Sequence, residues 1–167
     1  MSNHEFNAAE NRVMENIMTS KMRNRDTIRA GIAVVVESGV YRAALRDADV
    51  GMMSLAVICH GLADRSGWWS DPRTGEPVDR NDGEMFALIH SEISEALEGV
   101  RKGCNDRHLP HRKAVEVELA DALIRIFDYA GSRGLDLGSA MIEKLAYNQQ
   151  RADHKREARV AEGGKKF

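Results

Sequence analysis

Two short acidic signatures, Glu92-Ile93-Ser94-Glu95 and Glu118-Leu119-Ala120-Asp121, constrain the fold of this chain more than any other feature. Carboxylates three residues apart lie on one face of a helix, a turn apart. The sequence around each pair predicts a helix, and the two helices are joined by a short loop. From Glu95 the first runs about two more turns, to Lys102; Gly103-Cys104-Asn105-Asp106 breaks it, and Leu109-Pro110 opens the next, nearly two turns before Glu118. At about 1.5 Å per residue the chain climbs roughly 10 Å and returns roughly 9 Å. Antiparallel packing therefore brings both acidic pairs to one height. Four carboxylates so placed repel each other, and no lysine or arginine lies in the same turn as Glu92 to relieve them. A hard divalent cation is the usual remedy.

The 167 residues suffice for one domain, or one domain with an extension. Charged residues make up 30% and aromatics 5%, with eight Met and three Pro, a composition that favours helices. The net charge of −2 gives no footprint for general nucleic-acid binding. Cys59 and Cys104 lack metal-type spacing and are expected as reduced thiols. With no apolar leader and no apolar run near 18 residues, the expectation is a soluble, cytoplasmic protein without a membrane span.

Residues 1–50 predict an N-terminal helical extension, with apolar stripes at Val13, Met14, Ile17, Met18 and at Ile28, Ile32, Val35, Val36. The main domain is expected over 51–167 as an all-α antiparallel helical bundle. Its first helix carries Met52, Leu55, Ile58 and Leu62 and closes at Gly67-Trp68-Trp69. Asn81 is the expected N-cap of the second, with Glu84 three residues on and an apolar stripe of Met85, Leu88, Ile89, Ile93, Ala96, Leu97 and Val100. The third is expected from Pro110 to Tyr129, with Val117, Leu123, Ile124 and Phe127 inward and Gly131 as its stop. Asp136 caps the last, whose apolar positions are Leu137, Met141, Leu145 and Ala146; beyond Arg151 the tail is charged.

On that last helix Lys144, Asn148, Arg151 and Lys155 recur on one face and suit phosphate oxygens, with Arg151 capable of a bidentate grip. Trp68 and Trp69 offer flat surface for a nucleobase or for the core. A di-iron centre is disfavoured, because no Glu is followed three residues later by His. All-oxygen ligands favour Mg²⁺, or Mn²⁺, over zinc or iron. Neither GxGxxG nor GxxxxGK occurs.

At these residues the chain resembles the MazG-like all-α nucleoside triphosphate pyrophosphohydrolases. Glu92, Glu95, Glu118 and Asp121 match that family's ExxE–spacer–ExxD signature. Gly67-Trp68-Trp69 looks like its aromatic turn, and Lys144 to Arg151 with the ending Gly163-Gly164-Lys165-Lys166-Phe167 looks like the C-terminal segment of short, stand-alone or phage-type members. The resemblance spans roughly 51–167. It implies a four-helix core and Mg²⁺-dependent cleavage of a nucleoside triphosphate between the α- and β-phosphates. It also implies Glu92, Glu95, Glu118 and Asp121 as catalytic metal ligands; Lys144, Asn148 and Arg151 on phosphate; and a homodimer or homotetramer. Two other expectations share these residues: a phosphoribosyl-ATP pyrophosphohydrolase-like enzyme, and a non-catalytic helical oligomer that binds nucleotide or a partner protein.

Overall fold

The structure, a computed structural model, describes residues 41–163, so the helices expected within 1–40 and the end of the tail lie outside the described residues. The chain divides into two compact units, Met1–Ala48 and Asp49–Phe167. Four long helices follow one another, α1 (Tyr41–Arg65), α2 (Asp82–Lys102), α3 (Ala114–Arg133) and α4 (Leu137–Gln150), and a 3₁₀ turn, Ala152–His154, leads to a short α5 (Arg156–Val160). Among the described residues the only β pairing is two isolated bridges, Ser70–Pro77 and Asn105–Lys113. The fold is all-α. No helix among the described residues is long and apolar enough to cross a membrane.

Local chemistry sets the helix ends. The Asn81 side chain accepts the Glu84 backbone N–H at 3.1 Å, and Asp136 accepts that of Ser139 at 3.0 Å. Both N-caps fall where the sequence placed them. Gly103 ends α2 at φ 63° and Gly134 ends α3 at φ 61°, left-handed conformations that glycine adopts without a Cβ penalty. Between α1 and α2 the turn-rich segment doubles back: the Val78 N–H donates to the Trp69 carbonyl, and Asp71 accepts the backbone N–H of Arg73 and of Thr74.

Helices α2 and α3 pack against each other as an antiparallel hairpin. At one end Arg133 of α3 reaches Asp79, Asp82 and the Arg80 carbonyl, while Phe86 and Tyr129 rings meet at 4.9 Å. At the other end the backbones nearly touch: a Cβ on Gly99 would stand 3.0 Å from the Val115 nitrogen and 3.1 Å from the Ala114 Cβ. Such an approach needs the small pair that this sequence supplies.

Three expectations are corrected. Helix α3 begins at Ala114, not Pro110, because Asp106 accepts the His108 and Leu109 N–H groups and holds that stretch in a turn. Gly131 does not stop α3; it lies within it, where a Cβ would come 2.6 Å from the His60 Cβ and 2.7 Å from the Ala56 carbonyl oxygen of α1. And α4 ends at Gln150, so Arg151 and Lys155 leave the helical face that carries Lys144 and Asn148.

The burial pattern also differs from the expected stripes. In α2 the buried residues are Met85, Glu92, Ala96 and Gly99; in α3 they are Ala114, Ala122, Phe127, Asp128 and Ala130. Ile93, Leu97, Val100, Leu123 and Ile124, read as core, are exposed, as are Met141 and Leu145 of α4. One residue beyond each buried position of α2 stands an apolar one: Phe86, Ile93, Leu97 and Val100. On α3, Leu119 and Leu123 stand in the same relation to Glu118 and Ala122. In antiparallel helices a one-residue step turns both toward the same side. The hairpin therefore presents one continuous apolar face, with Leu97 67% and Val100 62% exposed.

Candidate metal centre

Glu92 and Glu95 sit midway along α2, two turns and one turn before Gly99; Glu118 sits one turn after Ala114 on α3. The close approach of Gly99 and Ala114 brings these carboxylates together: Glu92, Glu95 and Glu118 each offer one oxygen, and the three lie within 4.8 Å of one another. Glu92 is 7% exposed, Glu118 half-buried and Glu95 exposed. Asp121, the fourth acidic residue of the signatures, is half-buried on the next turn of α3 and is not part of that triplet.

The field in this cluster is strongly negative. Burial pushes the Glu118 carboxyl above the ordinary range, and repulsion from Glu95, Glu92, Asp121 and Asp106 pushes it further. Asp121 is raised by burial and by Glu92, with Arg125 pulling the other way. Asp106, from the α2–α3 loop, adds to the negative field at both. It is a site residue that the sequence reading passed over, legible only as an acid in the spacer. A shallow cavity of about 190 Å³ opens beside the cluster, lined by Glu95, Glu98, Lys102, Asn105, Asp106 and Glu118 among others.

Glu92 is not without a positive partner. The Arg125 Nε donates to its Oε1 at 2.5 Å, across the helix pair. Arg125 is hidden from a reading of the Glu92 helix alone because it stands on the facing helix. Its signal was present: Glu118, Asp121 and Arg125 are spaced i, i+3 and i+7, one face of α3. Glu98 is drawn away from the cluster by Arg101 and Lys102, which hold its carboxyl below the ordinary range.

Two of the three residues expected on phosphate lie over the Tyr147 ring. The Lys144 Nζ lies 4.8 Å from that ring's centre and the Arg151 guanidinium 6.0 Å. Arg151 is held in a two-point pair by Asp153. The Asn148 Oδ1 is buried without a hydrogen-bond partner. Among the described residues no hydrogen bond or ion pair joins Lys144, Asn148 or Arg151 to the carboxylates.

The two tryptophans diverge. Trp69 is buried, its Nε1 donating to Asp128 Oδ1 at 2.8 Å and its ring edge-on to His60 at 5.2 Å; Trp68 is 66% exposed. The His60 Nδ1 pairs with the same Asp128 oxygen at 3.0 Å. Asp128 thus ties α1, the Trp69 turn and α3 together, a structural hub that no spacing rule marked. Both cysteines are free, and burial raises the Cys59 thiol above its ordinary range.

Compared with models of protein families, with curated proteins and with solved structures, the chain matches none.

Three carboxylate oxygens converging from two helices, in a field where burial and neighbouring carboxylates raise the Glu118 and Asp121 carboxyls above the ordinary range, form a group that could hold a metal ion. No nitrogen or sulfur ligand belongs to the triplet.

Proposed function

We propose that this chain is a Mg²⁺-dependent hydrolase of the MazG-like type, cutting a nucleoside triphosphate to monophosphate and pyrophosphate. One observation carries the reading: the ExxE and ExxD signatures, far apart in sequence, supply three carboxylates that meet within 4.8 Å across an antiparallel helix pair. Glu92, Glu95 and Glu118 would hold the ion, with Asp121 next to them on the following turn. When bound, Mg²⁺ supplies a charge that neutralises phosphate oxygens and lowers the pKa of bound water.

The protein's own contribution is positional. Rigid helices fix the three carboxylates, and Glu118 and Asp121, whose proton affinity is raised by burial and by neighbouring carboxylates, are candidates to take a proton from attacking water. Lys144, Asn148 and Arg151 are assigned to the β- and γ-phosphates, to whose oxygens their N–H groups would donate. Because they make no contact with the carboxylates within one copy, this assignment goes with a second copy of the chain. The exposed stripe of Ile93, Leu97, Val100, Leu119 and Leu123 supports a homodimer or homotetramer. Trp68 is the better placed of the two tryptophans to meet a nucleobase, Trp69 being committed to Asp128. The reading sets the protein among cytoplasmic nucleotides.

The test is release of pyrophosphate and monophosphate from a panel of ribo- and deoxynucleoside triphosphates and phosphoribosyl-ATP, in Mg²⁺, Mn²⁺ or chelator. Metal-dependent release of both products, abolished in a folded Glu95→Gln or Asp121→Asn protein, is the expected outcome. Turnover near wild type in either variant sinks the ligand assignment. A second reading, a non-catalytic helical oligomer, is favoured by one observation: Arg125 already compensates Glu92. It expects a thermal shift with nucleotide and no product.

A further inference from the structure

Arg125 is placed unlike an ordinary cross-helix ion pair. Its partner Glu92 is one of the three converging carboxylates, and its charge also acts on Asp121. The two partners differ in freedom: the Glu92 side chain is 9% exposed, the Arg125 side chain 39%. Glu92 is held by packing, whereas Arg125 has a solvent path along which to withdraw. Arg101 and Lys102 are engaged on Glu98 and Arg133 on Asp79 and Asp82, while Arg107 lines the cavity beside Glu95 and Glu118 without an ion pair to either. Among the described residues Arg125 is therefore the cation paired with the cluster itself.

We propose that Arg125 is an internal competitor for the divalent ion: it neutralises Glu92 in the empty site and has to be displaced or repelled when the ion loads. The proposal rests on the reading of the cluster as a divalent-ion site. A guanidinium on a would-be ligand blocks one oxygen and repels a second cation, so it sets a threshold below which the site stays empty. It also lets the buried Glu92 fold charged without the ion, since a buried carboxylate stripped of its partner is strongly disfavoured. Affinity for the ion is thus given up for a site that assembles before the ion arrives.

Mn²⁺ alone is the probe, followed by its paramagnetic resonance signal without nucleotide, on the full chain and on Arg125→Gln and Arg125→Lys variants. The expected result is at least tenfold tighter Mn²⁺ binding in Arg125→Gln, with a lower melting temperature in chelator and a larger rise on adding Mn²⁺. Arg125→Lys keeps the charge, protects the fold and should fall between the two, so the order of affinities reads out the idea even if the Gln variant unfolds in chelator. Equal or weaker binding in the variants, beside clear binding by the wild type, overturns the competitor role and leaves the metal site standing. Absence of Mn²⁺ binding in all three proteins overturns both.

Discussion

Replacing Glu118 by Gln should stabilise the protein in chelator and abolish its stabilisation by Mg²⁺. The amide keeps the shape of the carboxylate and removes its charge. The Glu118 oxygen shares a 4.8 Å sphere with those of Glu92 and Glu95. Two unit charges at that separation repel by about 0.9 kcal/mol in water and about 3.5 kcal/mol at an effective dielectric near 20. Glu118 is half-buried, and Arg125 already offsets Glu92, so a net relief of about 1–2 kcal/mol is expected. For a chain of this size, that is a rise of roughly 2–8 °C in melting temperature. With Mg²⁺ at about a hundredfold over its Kd, the wild type should gain about 2.7 kcal/mol, and the variant little or nothing. Thermal denaturation of both proteins in chelator and in Mg²⁺ decides the matter. A Glu118→Gln protein that melts below wild type in chelator would refute the reasoning, because it would show the carboxylate making a favourable contact instead of enduring repulsion.

Two glycines give a matched pair: Gly131→Ala should lose about 1–3 kcal/mol, since its Cβ meets the Ala56 carbonyl and His60 Cβ, whereas Gly61→Ala, with open space around it in α1, should gain up to about 1 kcal/mol, both read by urea denaturation. Asp128→Ala strips the Trp69 Nε1 of its acceptor and His60 of its partner, and should cost about 2–4 kcal/mol together with a shift in tryptophan fluorescence. The pH dependence follows from the raised carboxyls. Glu118 and Asp121 hold protons more tightly folded than unfolded, so their contribution to stability is full below the unfolded carboxyl pKa and is lost as pH rises through the folded value. In chelator, a Glu118→Gln/Asp121→Asn protein should therefore lose less stability than wild type as pH rises above the unfolded carboxyl range, from about 4 upward; parallel curves would contradict the shift.

Caps and signatures were legible in the sequence because they are local. Asn81, Asp136 and Gly103 act on backbone within a few residues, and the ExxE and ExxD spacings fix a helix face without reference to anything distant. The convergence of Glu92, Glu95 and Glu118 followed from counting residues along two helices. What stayed hidden depends on partners far along the chain. Arg125 meets Glu92 from 33 residues away, and Asp128 meets Trp69 from 59. Gly131 reads as a helix stop when its neighbours alone are considered, and as a contact point only once α1 lies against it. The apolar stripes were misassigned for a related reason: periodicity finds a hydrophobic face, but Ala96, Gly99 and Ala122 took the inside, and the larger Leu97, Val100 and Leu123 were left outside. Small residues permit closer helices, and closeness decided which face was buried.

That closeness has a consequence for the spacing of the carboxylates. The aperture between the two helices is set one turn away from the carboxylates, where Gly99 faces Ala114. Neither residue carries a charge or touches an ion, yet together they fix how far apart Glu95 and Glu118 stand. A methyl group added at position 99 would act as a wedge, spreading the jaws and moving the two carboxylates apart. The gauge of the site is thus written in two of the least conspicuous side chains of the hairpin.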